Sequence, residues 1–139
     1  MSKQSWSMLV VGLVLGAGFT ALRAAEAPAP RVFEIRTYHT FPGRLDALHK
    51  RFRDHTMKIF EKHGMTNVGY WVPQDEPAHS NTLVYVISHA SREQAKANWQ
   101  AFIDDPEWKK VSEESQVNGR IVSKVVSVFA DPTDYSPMK

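Results

Sequence analysis

The sequence predicts an α+β protein with a ferredoxin-like β-α-β-β-α-β order of elements and an antiparallel sheet. Four segments either alternate between apolar and other residues or are apolar throughout, and such segments are typical of strands. Two longer segments repeat apolar residues at three- and four-residue steps, as amphipathic helices do. One helix follows the first strand and the other follows the third, which completes the ferredoxin-like order.

The first strand is predicted over residues 32–40. Two sets of residues alternate along it: Phe33, Ile35 and Thr37 on one face, and Glu34, Arg36 and Tyr38 on the other. Pro42-Gly43 ends the strand, and a helical pattern begins at once. We therefore expect the apolar set to pack against that helix and the polar-aromatic set to point away from it.

The first helix is predicted over residues 43–63. Its inward stripe consists of Leu45, Leu48, Phe52, Thr56, Ile59 and His63. Arg51 is placed with the other charged residues on the outside. Gly64 provides the left-handed residue that commonly ends a helix, and His63 lies where a basic group stabilises the last turn.

Two strands come next. The second, over residues 65–72, is predicted to place Val68, Tyr70 and Val72 on one face and Asn67, Gly69 and Trp71 on the other. A loop over residues 73–80 leads to the third strand, over residues 82–89. That strand is apolar on both faces, so we expect it at the centre of the sheet.

The second helix is predicted to begin with Ser91 as its N-cap, and Gln94 would complete a capping box. Asp105 then caps a third, shorter helix, and Pro106 occupies its first position. The two adjacent aspartates are thus explained by capping alone.

The last strand is predicted over residues 120–129. A single domain therefore covers residues 32–130. A proline-containing linker precedes it at residues 26–31, and an extended tail without a core pattern follows at residues 131–139.

The first 25 residues have the composition of a signal peptide. Lys3 is the only charge before Arg23, an apolar run extends from Met8 to Ala21, and small residues follow. We expect cleavage at the alanines near position 24 and a secreted or periplasmic protein that does not contact the membrane after cleavage. The alternative is an uncleaved anchor, for which the run is short.

Charge and cysteine content exclude several classes of protein. The chain has 17 basic and 15 acidic residues, and loss of Lys3 and Arg23 with the leader leaves 15 of each. No net positive charge then favours nucleic acid or an anionic membrane surface. The chain has no cysteine. Disulfides, thiol catalysis and cysteine-zinc sites are therefore excluded.

One face of the predicted sheet takes the helices, and nothing in the chain remains to cover the other. We expect a second copy to bury that face, which gives a homodimer with its two sheets face to face. The competing interpretation is a monomer whose open face binds a ligand.

Three motifs resemble the signatures of the NIPSNAP family, in the same order along the chain: Phe33–Tyr38 with Pro42–Asp46, Val68–Trp71, and Asp105–Trp108. The chain resembles a bacterial, exported member of that family. This resemblance implies a dimeric α/β-barrel, the fold shared with antibiotic-biosynthesis-type monooxygenases and haem-degrading relatives. It implies no particular reaction, because the family has no agreed catalytic mechanism.

Glu34, Arg36 and Tyr38 form the first candidate site. In one interpretation they line the inside of the barrel, where Arg36 binds an anionic group of a ligand and Tyr38 supplies a hydroxyl. In the other, Glu34 and Arg36 form an ion pair at the dimer interface.

The remaining candidates are histidines and aromatic residues. His39 and His89 lie at strand ends, where one could reach a cavity or ligate haem or a metal, although no histidine pair has metal-binding spacing. Tyr70, Trp71 and Tyr85 could line an apolar pocket between sheet and helices. Trp99 and Trp108 are interpreted as core residues.

The sequence thus predicts a NIPSNAP-like protein that binds a small apolar or aromatic molecule, with no cofactor or metal assigned. Two alternatives remain. One is a cofactor-independent monooxygenase or haem-handling enzyme, which requires a histidine or tyrosine in the cavity beside Arg36. The other is a structural interaction protein whose barrel is filled by its own side chains.

Overall fold

The computed structural model describes residues 30–139, so the predicted leader and most of the linker lie outside the described residues. The strands are β1 (Val32–Thr40), β2 (Thr66–Trp71), β3 (Thr82–His89) and β4 (Val122–Ala130). The helices are α1 (Leu45–Arg51), α2 (Met57–Lys62), α3 (Arg92–Asp104) and α4 (Pro106–Ser115). None of the helices in this part of the chain has the length and apolar character needed to cross a membrane.

The four strands form one antiparallel sheet in the order β2-β3-β1-β4. This order confirms the ferredoxin-like fold predicted from the sequence, and β3 occupies a central position as expected. The register places Arg36 of β1 beside Tyr85 of β3 on one side and Ser127 of β4 on the other. Side chains from three strands therefore meet around Arg36.

The prediction of which face of β1 meets the helices is wrong. Glu34 is only 1% exposed, and Tyr38 packs against the core beneath the helices. Ile35, from the apolar set, is 40% exposed on the opposite face. Alternation identifies the residues that share a face, but it does not state which face the helices cover. Here hydrogen-bond partners on the helix side allow Glu34 to be buried.

A bulge in β2 corrects a second face assignment. The pairing with β3 shifts between Asn67 and Gly69, so one extra residue is accommodated there. Asn67 and Tyr70 consequently share the helix face, and the Tyr70 hydroxyl donates to Asn67 Oδ1. A strict two-residue period predicts Asn67 and Tyr70 on opposite faces. The prediction is wrong because the bulge interrupts that period.

The segment between β1 and β2 is helical over residues 45–62, but α1 and α2 are joined by a π-helical turn, Phe52–Thr56. The hydroxyl of Thr56 donates to the carbonyl of Arg51 within this turn. Arg51 is buried, which corrects its predicted position on the outside. Leu48, Phe52, Thr56 and Ile59 of the predicted stripe are all buried, so the inward face is confirmed through this turn.

Both predicted helix caps are confirmed. Ser91 Oγ accepts from the backbone N–H of Gln94 at 3.0 Å, and Asp105 accepts from that of Glu107 at 2.7 Å. The Gln94 side chain does not close the capping box, because it donates to Asn98 instead. His63 ends α2 as predicted, and its Nε2 lies 2.6 Å from Asp105 Oδ2, which joins two helices.

The sheet face opposite the helices is largely apolar. Its exposed side chains include Val128, at 53%, and Trp71, at 55%. Arg31, the last residue of the predicted linker, is fixed at its edge by a hydrogen bond to Ser88 Oγ at 2.7 Å. In the tail, Pro132, Ser136 and Met138 line a depression that they share with four residues of this face: Phe33, Ile35, Val86 and Ala130.

Candidate ligand-binding site

The carboxylate of Glu34 is the centre of a buried polar cluster. Four side chains donate to it: Ser127 at 2.6 Å and Arg36 at 2.5 Å to one oxygen, and Trp99 at 2.7 Å and His89 at 3.0 Å to the other. Burial acts to raise its pKa, but these hydrogen bonds and the charge of Arg36 outweigh it and lower the pKa of Glu34 to about 2. Glu34 is therefore ionised and fully occupied by partners in its own chain.

Arg36 is held by the same cluster. Its guanidinium lies 4.2 Å from the centre of the Trp99 ring, and its Nη2 lies 3.4 Å from the Tyr38 hydroxyl. Burial favours the neutral form, yet Tyr38, Tyr85 and Glu34 together raise the pKa of Arg36 above its ordinary value. The predicted ion pair exists, but it lies beneath the helices and not on the open sheet face. Both interpretations of this patch are wrong about its location.

His89 completes the cluster and is wholly buried. Its Nε2 faces Glu34, and its Nδ1 lies 3.4 Å from Asn98 Nδ2. A neutral ring that donates from Nε2 and accepts at Nδ1 satisfies both contacts. With both nitrogens engaged and no exposed surface, the ring has a structural role.

A cleft of about 320 Å³ opens between α4 and the end of the sheet formed by β1 and β4. Tyr38 and Arg51 line it from the interior, and Trp108 and Ser112 line it from α4. The other lining residues are Gln116, Arg120, Val122, Ser123, Lys124 and Val125. Its size lies at the lower end of the range typical of small-molecule sites.

Two larger depressions exist elsewhere, but they differ from the cleft in the hydrogen bonding of their lining residues. One of about 480 Å³ lies beside His49 and His79, and one of about 420 Å³ lies beside Arg92 and Phe129. Neither is lined by a buried polar atom that lacks a partner. The cleft beneath α4 does have such an atom in its lining, because Arg51 Nε is buried and makes no hydrogen bond. We therefore take this cleft as the candidate site.

Of the eight residues proposed from the sequence, Tyr38 lines the cleft. Tyr85 packs against Tyr38 in the core. Glu34, Arg36 and His89 lie farther along the sheet with Trp99, which together with Phe129 lines the depression of about 420 Å³. Tyr70 stacks on Tyr85 with ring centres 5.3 Å apart. Two candidates lie apart from the cleft: Trp71 on the open sheet face, and His39 at the end of β1, where it contacts Thr82.

Within residues 30–139, no group of three or more acidic or histidine side chains could hold a metal ion.

Sequence reasoning missed the residues that give the cleft its charge. The sequence pattern predicts Arg51 on the outside, and it does not mark Arg120 or Lys124 as site residues. Arg51 lies three residues after Leu48 and directly before Phe52, which are both stripe positions, so its burial is compatible with the helical period. Arg120 and Lys124 carried no signal, because exposed basic residues at a strand are common.

Comparison with known proteins identifies the family. The NIPSNAP family model matches residues 33–137. A NIPSNAP family protein of unknown function from Agrobacterium tumefaciens has 22% identity and a TM-score of 0.68, with 79% of this chain and 95% of that chain covered. An uncharacterised NIPSNAP-like domain protein from Burkholderia xenovorans has 17% identity and a TM-score of 0.66, with 77% and 89% covered.

A more distant likeness extends to a monooxygenase of Streptomyces coelicolor in complex with the ligand nanaomycin D. Its identity is 15% and its TM-score 0.54, with 75% of this chain and 88% of that chain covered. At these identities the structural likenesses concern the fold alone. No curated protein matches the sequence significantly. The family model covers most of the chain, and the chain therefore belongs to the NIPSNAP family.

Proposed function

We propose that this protein binds a small apolar or aromatic molecule in the cleft beneath α4. The observation that carries the proposal is the position of Tyr38 and Trp108 on facing walls of one cleft, with Val122 and Val125 beside them. These four residues provide the aromatic and aliphatic surface on which small-molecule sites depend, and the other six lining residues are polar or basic.

Native mass spectrometry of the full chain, expressed with its leader and purified without added ligand, tests this proposal. We expect the protein to carry a small molecule that is lost in the Ser112→Trp variant, in which the larger ring fills the cleft. Glu113→Trp, on the exposed side of the same helix, is the control and should retain it. A bare wild-type protein that also binds neither 2-naphthoate nor 2-naphthamide would overturn the proposal and favour a purely structural interaction protein.

We also propose that the open sheet face is covered by a second copy, so that the protein acts as a homodimer. Ile35 and Val128 leave an apolar surface on one side of the sheet, and the helices cover only the other. Ile35→Lys should give a monomer in sedimentation velocity experiments, whereas Val117→Lys, away from the sheet, should not. A monomeric wild type would remove the dimer from the proposal.

The leader motivates a third part of the proposal, export from the cytoplasm. We expect periplasmic fractions to contain a chain shortened by about 25 residues, because an apolar run followed by alanines is a signal-peptidase substrate. Leu13→Arg interrupts the run and should keep the full-length chain in the cytoplasm. An uncleaved wild-type chain in the membrane fraction would instead indicate an anchor.

A second candidate function is oxygenation of an aromatic substrate without a cofactor. It is favoured by Tyr38, whose side chain lines the cleft while its hydroxyl lies 3.4 Å from Arg36 Nη2. Oxygen uptake with 1-naphthol as the substrate should then exceed the uncatalysed rate and fall in Tyr38→Phe. Uptake by the wild type at the uncatalysed rate would exclude this activity on that substrate, and equal, faster uptake by both proteins would exclude the role of Tyr38. A Soret band in the purified protein would point to haem handling.

A further inference from the structure

Arg51 is a buried cation without an anionic partner. Arg51 is only 6% exposed, and its Nε makes no hydrogen bond. None of the ion pairs among residues 30–139 includes it. A buried charge that is neither paired nor fully hydrogen-bonded is strongly unfavourable, so proteins rarely keep one without a reason.

The surroundings of Arg51 do not neutralise it. Its guanidinium lies 5.3 Å from the centre of the Trp108 ring and near the hydroxyls of Tyr38 and Tyr85. The Tyr85 hydroxyl is also buried and lacks a partner. Burial lowers the pKa of Arg51, which reflects the missing counter-charge. Arg36 differs, because Glu34 provides it with a carboxylate.

The walls of the cleft have a single sign of charge. Arg51, Arg120 and Lys124 line it, and no aspartate or glutamate does. Arg51 also borders a smaller depression of about 230 Å³ that contains Asp54 and Glu114. Asp54 there is held by Lys50 at 2.6 Å, and neither carboxylate pairs with Arg51. Of the two depressions that Arg51 lines, the cleft is the one without a carboxylate in its walls, so an anionic ligand is favoured there.

We infer that the cleft beneath α4 takes an aromatic carboxylate, with the carboxylate bound by the guanidinium of Arg51. This inference rests on the proposed function and adds the charge of the ligand to it. The planar guanidinium fork matches a carboxylate in two parallel hydrogen bonds. Trp108, Val122 and Val125 contact the apolar part, and Arg120 and Lys124 attract the anion at the entrance.

Calorimetric titration with two probes of nearly equal shape tests the inference. 2-Naphthoate carries the carboxylate, and 2-naphthamide replaces it with a neutral amide. We expect the wild-type protein to bind naphthoate at least about tenfold more tightly, as charge-assisted hydrogen bonds allow. Arg51→Leu should abolish this preference. Arg53→Leu removes the same charge from an exposed position of the π-helical turn and should leave the preference intact.

A stability measurement separates ligand binding from a structural role. Removal of an unpaired buried charge should raise the melting temperature of the ligand-free protein in Arg51→Leu, while the preference for naphthoate over naphthamide is lost. A lower melting temperature together with an unchanged preference would assign Arg51 to the core and overturn the inference. If Arg51→Leu does not fold, Arg51→Lys serves, and its loss of the guanidinium fork should weaken naphthoate binding without affecting naphthamide.

The remaining outcomes distinguish the two proposals. Equal binding of both probes by the wild type, abolished by Ser112→Trp, would overturn the anion inference and keep the cleft as an apolar site. Binding of neither probe would overturn both. A preference for naphthoate that survives in Arg51→Leu but disappears in Lys124→Gln would overturn the role of Arg51.

Discussion

The indole Nε1 of Trp99 donates a hydrogen bond of 2.7 Å to Oε2 of Glu34, which joins helix α3 to the middle of the sheet. The same carboxylate accepts from Ser127 on β4 and His89 on β3. One buried side chain therefore connects three strands and a helix. Because buried networks of this kind are costly when incomplete, we expect the fold to be sensitive to each member.

Glu34→Gln should destabilise the protein by about 2–4 kcal/mol at pH 7. The amide keeps the shape of the side chain but removes the charge opposite Arg36, which is then buried without a counter-ion. Urea unfolding at a fixed protein concentration measures the change. Glu114→Gln, at an exposed and weakly paired position, should change the free energy of unfolding by less than about 0.5 kcal/mol. Similar effects of the two variants would contradict the importance of the cluster.

The Glu34 cluster also predicts an acid-sensitive fold. The pKa of Glu34 is about 2 in the folded protein, against an ordinary value of 4.5. Its stabilising effect is thus complete above pH 4.5 and is lost as the pH falls from about 4.5 to about 2, on the order of 2–3 kcal/mol in all. Glu34→Gln cannot titrate, so its stability deficit relative to wild type should shrink over this range. A deficit that is constant with pH would argue against the low pKa.

Trp99→Phe should remove the indole donor and weaken the contact with the Arg36 guanidinium. We expect a loss of about 1–3 kcal/mol, since one oxygen of Glu34 then keeps only His89 as its donor. A double-mutant cycle with Glu34→Gln tests the direct link. The coupling energy should be about 1–2 kcal/mol, as for residues in one network. Additive effects would show that the indole acts through packing alone.

Gly64→Ala should be more destabilising than Gly43→Ala. Both glycines have positive φ, +76° and +71°, so alanine meets a similar backbone penalty of about 1–2 kcal/mol at each. At Gly64 the added methyl group would also lie 3.3 Å from Asn98 Oδ1, whereas Gly43 faces open space. Thermal unfolding of the two variants measures the difference. Equal losses would mean that Asn98 moves aside without cost.

Asp105→Asn should flatten the acid limb of the stability profile. Lys62 and then His63 lower the pKa of Asp105 well below its ordinary value of 3.8. The stabilisation is therefore present above about pH 3.8 and lost as the pH falls below it. Asparagine keeps the N-cap but not the charge. Melting temperatures between pH 7 and 3 should fall less steeply in Asp105→Asn than in wild type, and Asp104→Asn should behave as wild type.

The helices and strands were predictable because their signals are local. Ser91 and Asp105 fix the starts of α3 and α4 through side chains that accept from the next turn. Gly64 ends the first helical segment because it tolerates positive φ. The order of these elements then leaves few topologies, and the observed sheet order follows from it.

The candidate site was less predictable, because its residues come from four separated parts of the chain. Tyr38 lines the cleft as part of β1, Arg51 belongs to α1, Trp108 to α4, and Lys124 to β4. Only the packing of α4 over the sheet brings them together. The bulge in β2 shifts the side-chain period by one residue, and it has no distinctive sequence pattern.

The order of helices and strands, their caps and the family follow from periodicity, capping and motif order, which are properties of neighbouring residues. The face of the sheet that the helices cover, and the difference between Arg36 and Arg51, depend on contacts between distant parts of the chain. Arg36 and Arg51 are chemically identical, and both are largely withdrawn from solvent, although 15% of the Arg36 side chain is exposed. Arg36 shares a strand face with Glu34, two residues away, whereas Arg51 meets only tyrosine hydroxyls and a tryptophan ring. That difference arises from where the chain folds each of them.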